Sequence, residues 1–116
     1  MNNISIKRIY NPAEEPDGFR ILVDRLWPRG MKKEDAAIDL WLKAVAPTDA
    51  LRKWYHHDGG RWDEFRHKYV LELKDNPAVN DLLLLIKEHK TVTLLYAARD
   101  AEQNHALVLL EFLQNH

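Results

Sequence analysis

The most distinctive pattern in this chain is a pair of near-continuous apolar runs, at residues 19–23 (FRILV) and 92–97 (VTLLYA). Such runs are typical of strands that are covered on both faces, as in parallel sheets. Residues 4–8 (ISIKR) instead alternate between apolar and polar, which predicts a half-buried strand. The segment 38–45 is ambiguous, and we interpret it as a further strand. The pattern therefore predicts three or four strands.

Other apolar residues recur at helical spacing. Asn76 followed by Pro77 predicts a helix start, because Asn caps helices and Pro is favoured at the first helical position. Asp100 with Gln103 three residues later resembles a capping box, which predicts the start of the last helix. One helical stripe consists of Trp62, Phe65, Tyr69 and Leu73.

Strands that alternate with helices predict an α/β fold with a small, mostly parallel sheet flanked by helices in three layers. The length of 116 residues suits one domain covering residues 1–116. In such sheets ligands bind outside the carboxyl ends of the strands. The segments that follow the predicted strands are therefore where a site is expected.

Composition excludes several mechanisms. The chain has no cysteine, which excludes disulfides, thiolate metal sites and cysteine nucleophiles, and Ser5 is its single serine. The glycine patterns of dinucleotide-binding, Walker and hydrolase-elbow motifs are absent. His56-His57-Asp58 lacks the spacing of a metal site, because adjacent helical residues point apart. We predict neither a metal nor an organic cofactor.

Charge and hydropathy restrict the partners. The formal net charge of −1 gives no global attraction to nucleic acid, so that any basic site must be local. No apolar run approaches the roughly 20 residues of a membrane helix, and no apolar leader follows the first methionine. These features, with the absence of cysteine, predict a cytoplasmic protein without a membrane partner.

The candidate site lies at two predicted strand ends. Asp24, Arg25 and Arg29 follow the first apolar run, and Arg99 follows the second, so the four converge if the strands are parallel neighbours. Arginine suits phosphate or carboxylate because its planar fork binds them in a bidentate way. Trp27 can stack on a base or sugar. The candidate ligand-binding residues are Arg8, Arg25, Trp27, Arg29, Tyr96, Arg99 and Asn104.

Two residues are candidates for catalysis. Asp24 is a candidate general base or charge stabiliser, and His105 in the predicted last helix is its candidate proton partner. The structural alternative is an internal salt-bridge set, in which Asp24 pairs with Arg25 or Arg99 and Trp27 fills the core. His105 can likewise be a core histidine.

These segments also resemble a known family. Residues 20–30 (RILVDRLWPRG), residues 94–100 (LLYAARD) and Asn104-His105-Ala106 are similar to the YeaO-like branch of the bacterial domain-of-unknown-function family 488. The likeness spans essentially the whole chain. It implies a compact α/β fold without an established activity. Some members carry a transcription-regulator label, and other relatives are placed in nucleotide or nucleic-acid processing, which fits arginine-rich strand ends better.

Three functional hypotheses follow. The first is that a phosphate-bearing ligand, above all a nucleotide or an exposed nucleic-acid base but also another small anionic ligand, binds at the strand ends and, if the protein is an enzyme, is hydrolysed there. The second is a non-enzymatic ligand-sensing or protein-interaction module. A DNA-associated regulator ranks last, because net charge does not support binding to duplex DNA and no basic recognition helix is visible.

Overall fold

The computed structural model describes residues 3–115 and contains a four-stranded sheet. The strand order is β1-β4-β2-β3, and every neighbouring pair is parallel, which confirms the predicted parallel α/β sheet. The two predicted apolar runs, now β2 and β4, are adjacent. The strands are β1 (Asn3–Arg8), β2 (Phe19–Leu22), β3 (Leu40–Trp41) and β4 (Thr91–Tyr96).

Residues 3–115 also form five α-helices and two short 3-10 turns, all of which lie between strands except the last helix, which follows β4. None of these helices is long and apolar enough to cross a lipid bilayer. The turns lie at Glu15–Asp17 and Lys43–Val45. The helices are α1 (Lys33–Ala36), α2 (Asp49–His56), α3 (Trp62–Lys74), α4 (Ala78–Glu88) and α5 (His105–Gln114).

The sheet is covered on both faces, in three layers. Successive strand residues point to opposite faces, so that Ile21 and Val23 face one side of β2 and Leu22 faces the other. Ile21 and Val23 belong to the main core, which α2, α3, α4 and α5 close. Leu22 belongs to a smaller core with Ile9, Ala36 and Leu95, beneath α1 and the neighbouring loops.

The predicted strand over residues 38–45 is much shorter in the structure. Only Leu40 and Trp41 pair with β2, and a 3-10 turn follows at Lys43–Val45. Val45 is fully buried in the main core, whereas strand β3 lies at the edge of the sheet. The chain leaves the sheet after Trp41 in order to bury Val45, which the local pattern of apolar residues did not reveal.

The last helix begins later than the capping-box pattern predicts. The Asp100 carboxylate accepts the backbone N–H groups of Glu102 and Gln103, and it therefore closes a turn of its own. Asn104 is the residue that caps α5, because its side-chain oxygen accepts the N–H of Leu107 at 2.8 Å. The prediction of a helix start at Asp100 was wrong, since Asx turns and helix caps use the same residue types.

The connection from β1 to β2 crosses over β4, because β4 lies between the two strands in the sheet. Thr93 of β4 donates its hydroxyl to the backbone carbonyl of Asp17 at 2.7 Å. The buried Asp17 carboxylate also bonds Lys7 of β1 and Arg20 of β2. This ionic cluster, which consists of Lys7, Asp17 and Arg20, thus holds the crossover against the face of the sheet to which Leu22 points.

We expect this cluster to make stability depend on pH in acid. Burial alone raises the pKa of Asp17, but the hydrogen bonds from the Glu14 backbone, Lys7 and Arg20 lower it more, and the net pKa lies below 3.8. A lowered carboxyl pKa stabilises the fold above the unfolded value, and that contribution disappears as pH falls through the folded value. Stability should therefore fall below about pH 4.

The measurement is the melting temperature of wild type and Asp17→Asn between neutral and strongly acidic pH. The variant is less stable at neutral pH, but its further loss in acid should be smaller than that of wild type. Asp63→Asn, on the exposed surface of α3, is the control and should keep the wild-type profile. Equal acid losses in wild type and Asp17→Asn would contradict the assignment.

Candidate functional site

A cavity of about 320 Å³ opens where β2 and β4 end at the carboxyl edge of the sheet. One wall is aromatic and consists of Tyr55, Trp62 and Phe65, whose rings contact one another. The polar side chains come from the segment after β2, from α2 and from the start of α5. The polar lining residues are Asp24, Arg25, Arg52, His56, Gln103, Asn104 and His105.

Asp24 is fixed by contacts at the end of the sheet. Its Oδ2 accepts the backbone N–H of Ala97 at 3.0 Å, and its carbonyl accepts the indole N–H of Trp41 at 2.7 Å. Its other oxygen, Oδ1, lies 2.9 Å from Nε2 of His105. That contact lacks hydrogen-bond geometry, and Nε2 instead bonds the Val23 carbonyl at 3.1 Å. The buried Oδ1 therefore has no hydrogen-bond partner among residues 3–115.

His105 is the first residue of α5 and packs edge-on against the buried ring of Tyr69, with centroids 6.3 Å apart. The Tyr69 hydroxyl donates to the Val45 carbonyl at 2.5 Å. Burial, helped by the negative charges of Glu72 and Asp24, raises the pKa of Tyr69 well above 10.0. Tyr69 consequently stays protonated and holds the chain at Val45, beneath the cavity.

Arg25 lines the cavity but its guanidinium is engaged. It donates to the carbonyls of Ala46 at 3.2 Å and Pro47 at 2.9 Å. The salt bridges of Asp24 with Arg25 or Arg99 considered from the sequence do not form, and His105 is the one basic side chain within 4.0 Å of the Asp24 carboxylate in residues 3–115. Arg25 instead anchors the segment before α2 to the end of β2.

Sequence reasoning missed Arg52, which lines the same cavity from α2. Its Nη2 lies 3.4 Å from the Asp49 carboxylate, while its Nε is buried and has no hydrogen-bond partner in the described part of the chain. The spacing of residues along α2 could have indicated this position. Because Tyr55 and His56 follow Arg52 by three and four residues, the three side chains share one face of α2.

His56 is an exposed residue at the edge of this cavity. Partial burial and the neighbouring positive groups of Arg52, His57 and His105 lower the pKa of His56 below 6.5. His56 is therefore uncharged at neutral pH and can accept or donate one hydrogen bond there.

The predicted site residues divide into two groups. Asp24, Arg25, Asn104 and His105 line the cavity together, although Asn104 uses its side chain to cap α5 and to bond the Asp100 carbonyl. The other group lies outside the lining and consists of Arg8, Trp27, Arg29, Tyr96 and Arg99.

Each residue outside the lining has a defined place. Trp27 donates its indole N–H to the Met31 carbonyl at 2.7 Å, and Tyr96 is buried in the main core. Arg8 donates from Nε to the Ala98 carbonyl at 3.0 Å. Arg29 and Arg99 are exposed at the surface.

Comparison with protein families shows to which family the chain belongs. The model of the inactive DUF488-N3 subclade matches residues 3–116. The chain belongs to this DUF488 subclade. It is 47% identical over 113 residues to the uncharacterized protein YeaO of Escherichia coli (strain K12), which covers 97% of this chain and 98% of YeaO.

Mycobacterial relatives extend the DUF488 comparison. The uncharacterized protein Rv3073c of Mycobacterium tuberculosis (strain ATCC 25618 / H37Rv) is 41% identical over 110 residues, which covers 95% of this chain and 92% of that protein. The uncharacterized protein Mb3100c of Mycobacterium bovis (strain ATCC BAA-935 / AF2122/97) shares the same identity and coverage. No solved structure matches the chain significantly. Within residues 3–115 of this DUF488 protein, no three carboxylate or imidazole groups cluster as a metal site would require.

Proposed function

We propose that this DUF488 protein binds a nucleotide in the cavity beside Asp24 and does not turn it over. The observation that carries the proposal is a complementary pair of unsatisfied groups. Asp24 Oδ1, an acceptor that lies 2.9 Å from His105 Nε2, and Arg52 Nε, a donor, are both buried without a hydrogen bond in residues 3–115, and both residues line the same cavity. A buried polar group left unpaired costs about 1–3 kcal/mol, so that a ligand that satisfies both is favoured.

The size and wall of the cavity fit a planar heterocycle. A volume of about 320 Å³ lies at the lower end of the range of roughly 300–1,000 Å³ for small-molecule sites. Tyr55 and Trp62 both pack against Phe65, with centroids 4.5 and 5.5 Å apart, and form a continuous aromatic surface. Such a surface stacks with the π-face of any nucleobase.

The two polar groups fit different parts of a nucleotide. The Asp24 carboxylate accepts hydrogen bonds only, and therefore suits the ring or exocyclic N–H donors of a base. The Arg52 guanidinium donates only, and it suits a phosphate oxygen. A ligand with a phosphate at one end and N–H groups at the other end can therefore bind both Arg52 and Asp24.

Binding without turnover agrees with the chemistry of the lining. Asp24 is the single carboxylate among the lining residues of the described chain, whereas glycosidic hydrolysis commonly uses a pair of carboxylates. One Asp24 oxygen is already bonded to the Ala97 N–H, and His105 Nε2 bonds a backbone carbonyl. The description of the matching family as an inactive subclade supports the same reading.

The test is thermal melting at low salt with nucleoside monophosphates, nucleobases, phosphosugars and inorganic anions. A ligand at about 100 times its dissociation constant stabilises by about 2.7 kcal/mol. For a chain near this size the melting temperature should rise by roughly 10 °C. We expect this rise with nucleoside monophosphates and a smaller one with inorganic phosphate.

Variants locate the binding. Asp24→Asn retains an oxygen that can accept the Ala97 N–H, and Arg52→Met retains the length of the side chain, but each should abolish most of the shift. Arg66→Met is the control, because Arg66 pairs with Glu111 outside this cavity. No shift with any nucleotide, or a shift that survives both cavity variants, would overturn the proposal. Chromatographic detection of a product from the bound nucleotide would establish an enzyme instead.

A further inference from the structure

The eight arginines of the chain divide sharply by position. Arg20, Arg52, Arg61 and Arg66 each lie within 4.0 Å of a carboxylate. The other four have no such partner in the chain from Asn3 to Asn115, and every one of them is the last residue of a strand or lies in the segment after a strand. These four are Arg8, Arg25, Arg29 and Arg99.

Arg8, Arg29 and Arg99, which we term the arginine rim, are connected through neighbouring residues. Arg8 donates to the carbonyl of Ala98, the residue before Arg99. The Arg8 guanidinium also lies over the Tyr10 ring, 4.7 Å from its centroid. The Tyr10 hydroxyl in turn donates to the backbone carbonyl of Arg29 at 2.7 Å. The three arginines therefore lie along one edge, with the 38%-exposed ring of Tyr10 among them.

The arginine rim lies next to the cavity. Ala98 lines the cavity and directly precedes Arg99, and Leu26 lines it three residues before Arg29. Leu26 is 58% exposed. No ion pair joins Arg99 to the acidic residue that follows it in the chain from Asn3 to Asn115, and the Asp100 carboxylate instead accepts the N–H groups of Glu102 and Gln103 in its own turn. The positive charges of the rim thus remain available to a ligand that extends out of the cavity.

We infer that the arginine rim binds the phosphate backbone of a single-stranded nucleic acid, one base of which occupies the cavity. This inference rests on the proposed function, and it names the form in which the nucleotide is presented. Proteins that bind single strands combine a positively charged track with aromatic rings on which bases stack, which is the combination seen here. Arginine binds phosphate in a bidentate way and stacks on aromatic rings.

The geometry favours a single strand over a free nucleotide and over a duplex. A free nucleotide carries its phosphate within reach of the cavity, where Arg52 lies, and would leave the rim empty. A duplex keeps its bases stacked, and a base reaches a pocket only if it is flipped out at a cost of a few kcal/mol. The net charge of the chain, −1, also does not indicate the broad basic surface that binding to a duplex needs.

The experiment compares the dissociation constants of a nucleoside monophosphate, a single strand of about ten residues of the same base, and its duplex. We expect the single strand to bind at least about tenfold more tightly than the monophosphate at low salt, since several phosphates are neutralised. Each phosphate contact contributes about 0.7 to the slope of log affinity against log salt. Arg29→Gln combined with Arg99→Gln should therefore lower this slope by about 1.4. It should also remove most of the difference in affinity between the single strand and the monophosphate.

The control is Lys87→Gln combined with Lys90→Gln, which removes the same charge near the start of β4, at the opposite edge of the sheet. This control should leave the difference in affinity between the single strand and the monophosphate unchanged. A single strand that binds no better than the monophosphate would overturn the inference while the cavity proposal stands. An equal loss in both double variants, or tighter binding of the duplex, would also overturn it. If no monophosphate binds, the cavity proposal and this inference both fail.

Discussion

Replacement of Arg20 with alanine is expected to lower the free energy of unfolding by about 3–5 kcal/mol, because it breaks a buried ion pair with Asp17, which then keeps only Lys7 of this cluster as a partner, and it leaves two backbone carbonyls without the donor that Arg20 supplies. Only 4% of the Arg20 surface is exposed. Its guanidinium bonds the Asp17 carboxylate and donates to the carbonyls of Ala36 at 2.8 Å and Ala37 at 2.9 Å. One side chain thus joins β2, the β1–β2 crossover and the end of α1.

Urea denaturation of wild type and Arg20→Ala measures this loss directly. The matched control is Arg61→Ala, because the Arg61–Asp63 pair spans 3.6 Å at the surface with about three-quarters of each side chain exposed. Exposed pairs contribute at most about 1 kcal/mol, so that the control should remain close to wild type. A loss below about 1 kcal/mol in Arg20→Ala would show that the ionic cluster does not stabilise the crossover.

Gly18→Ala should also have a large effect, a loss of about 2–6 kcal/mol in the free energy of unfolding. Gly18 has φ +67 and ψ −134, a conformation that residues with a side chain rarely adopt and that costs them about 1–3 kcal/mol. A Cβ at this position would also lie 2.4 Å from the backbone oxygen of Thr91. Because Thr91 begins the central strand β4, the strand cannot yield cheaply, and overpacking adds about 1–3 kcal/mol.

Gly30→Ala separates the two contributions. Gly30 also has a positive φ, +75, but a Cβ there would meet no atom within 4 Å. Its loss should be limited to the conformational cost of about 1–2 kcal/mol. Denaturant titration of both variants gives the difference between their losses in free energy of unfolding. This difference is the cost that arises because the crossover lies so close to β4. Similar losses in the two variants would mean that the crossover shifts freely away from the strand.

These residues matter to the site because they position β2. Asp24 lies two residues after the end of β2, and its Oδ2 accepts the N–H of Ala97, which directly follows β4. The pairing of β2 with β4 therefore sets the distance between the two segments that form the floor of the cavity. A displaced crossover would be expected to disturb ligand binding as well as stability.

The sequence predicted the central strands because their signal is local. Residues 19–23 and 92–97 are apolar at nearly every position, and a strand buried on both faces requires this. The strand-end rule then predicted that Asp24, Arg25, Arg29 and Arg99 converge, and Asp24 and Arg25 line the cavity, whereas Arg29 and Arg99 lie outside its lining. The short strand β3 and the start of α5 were misplaced, because burial of Val45 and the local turn of Asp100 outweighed the pattern.

The division of the arginines could not be predicted from the sequence. Arg25 and Arg29 lie in one motif and are the same residue type, yet Arg25 is bound by two carbonyls and Arg29 is exposed. Arg52 lies far from that motif in sequence but lines the cavity. Whether a guanidinium is engaged, buried without a partner or free depends on atoms that come from other elements of the fold.

The sequence by itself determined the class of fold, the two central strands and the edge of the sheet at which the polar residues gather, because hydrophobic periodicity and the parallel arrangement are properties of short segments. Only the tertiary structure decided that Asp24 and Arg52 share a cavity while Arg8, Arg29 and Arg99 remain outside it. Their placement depends on how α2 packs against the sheet and on which carbonyls lie within reach, and both are set by contacts between residues distant in the chain.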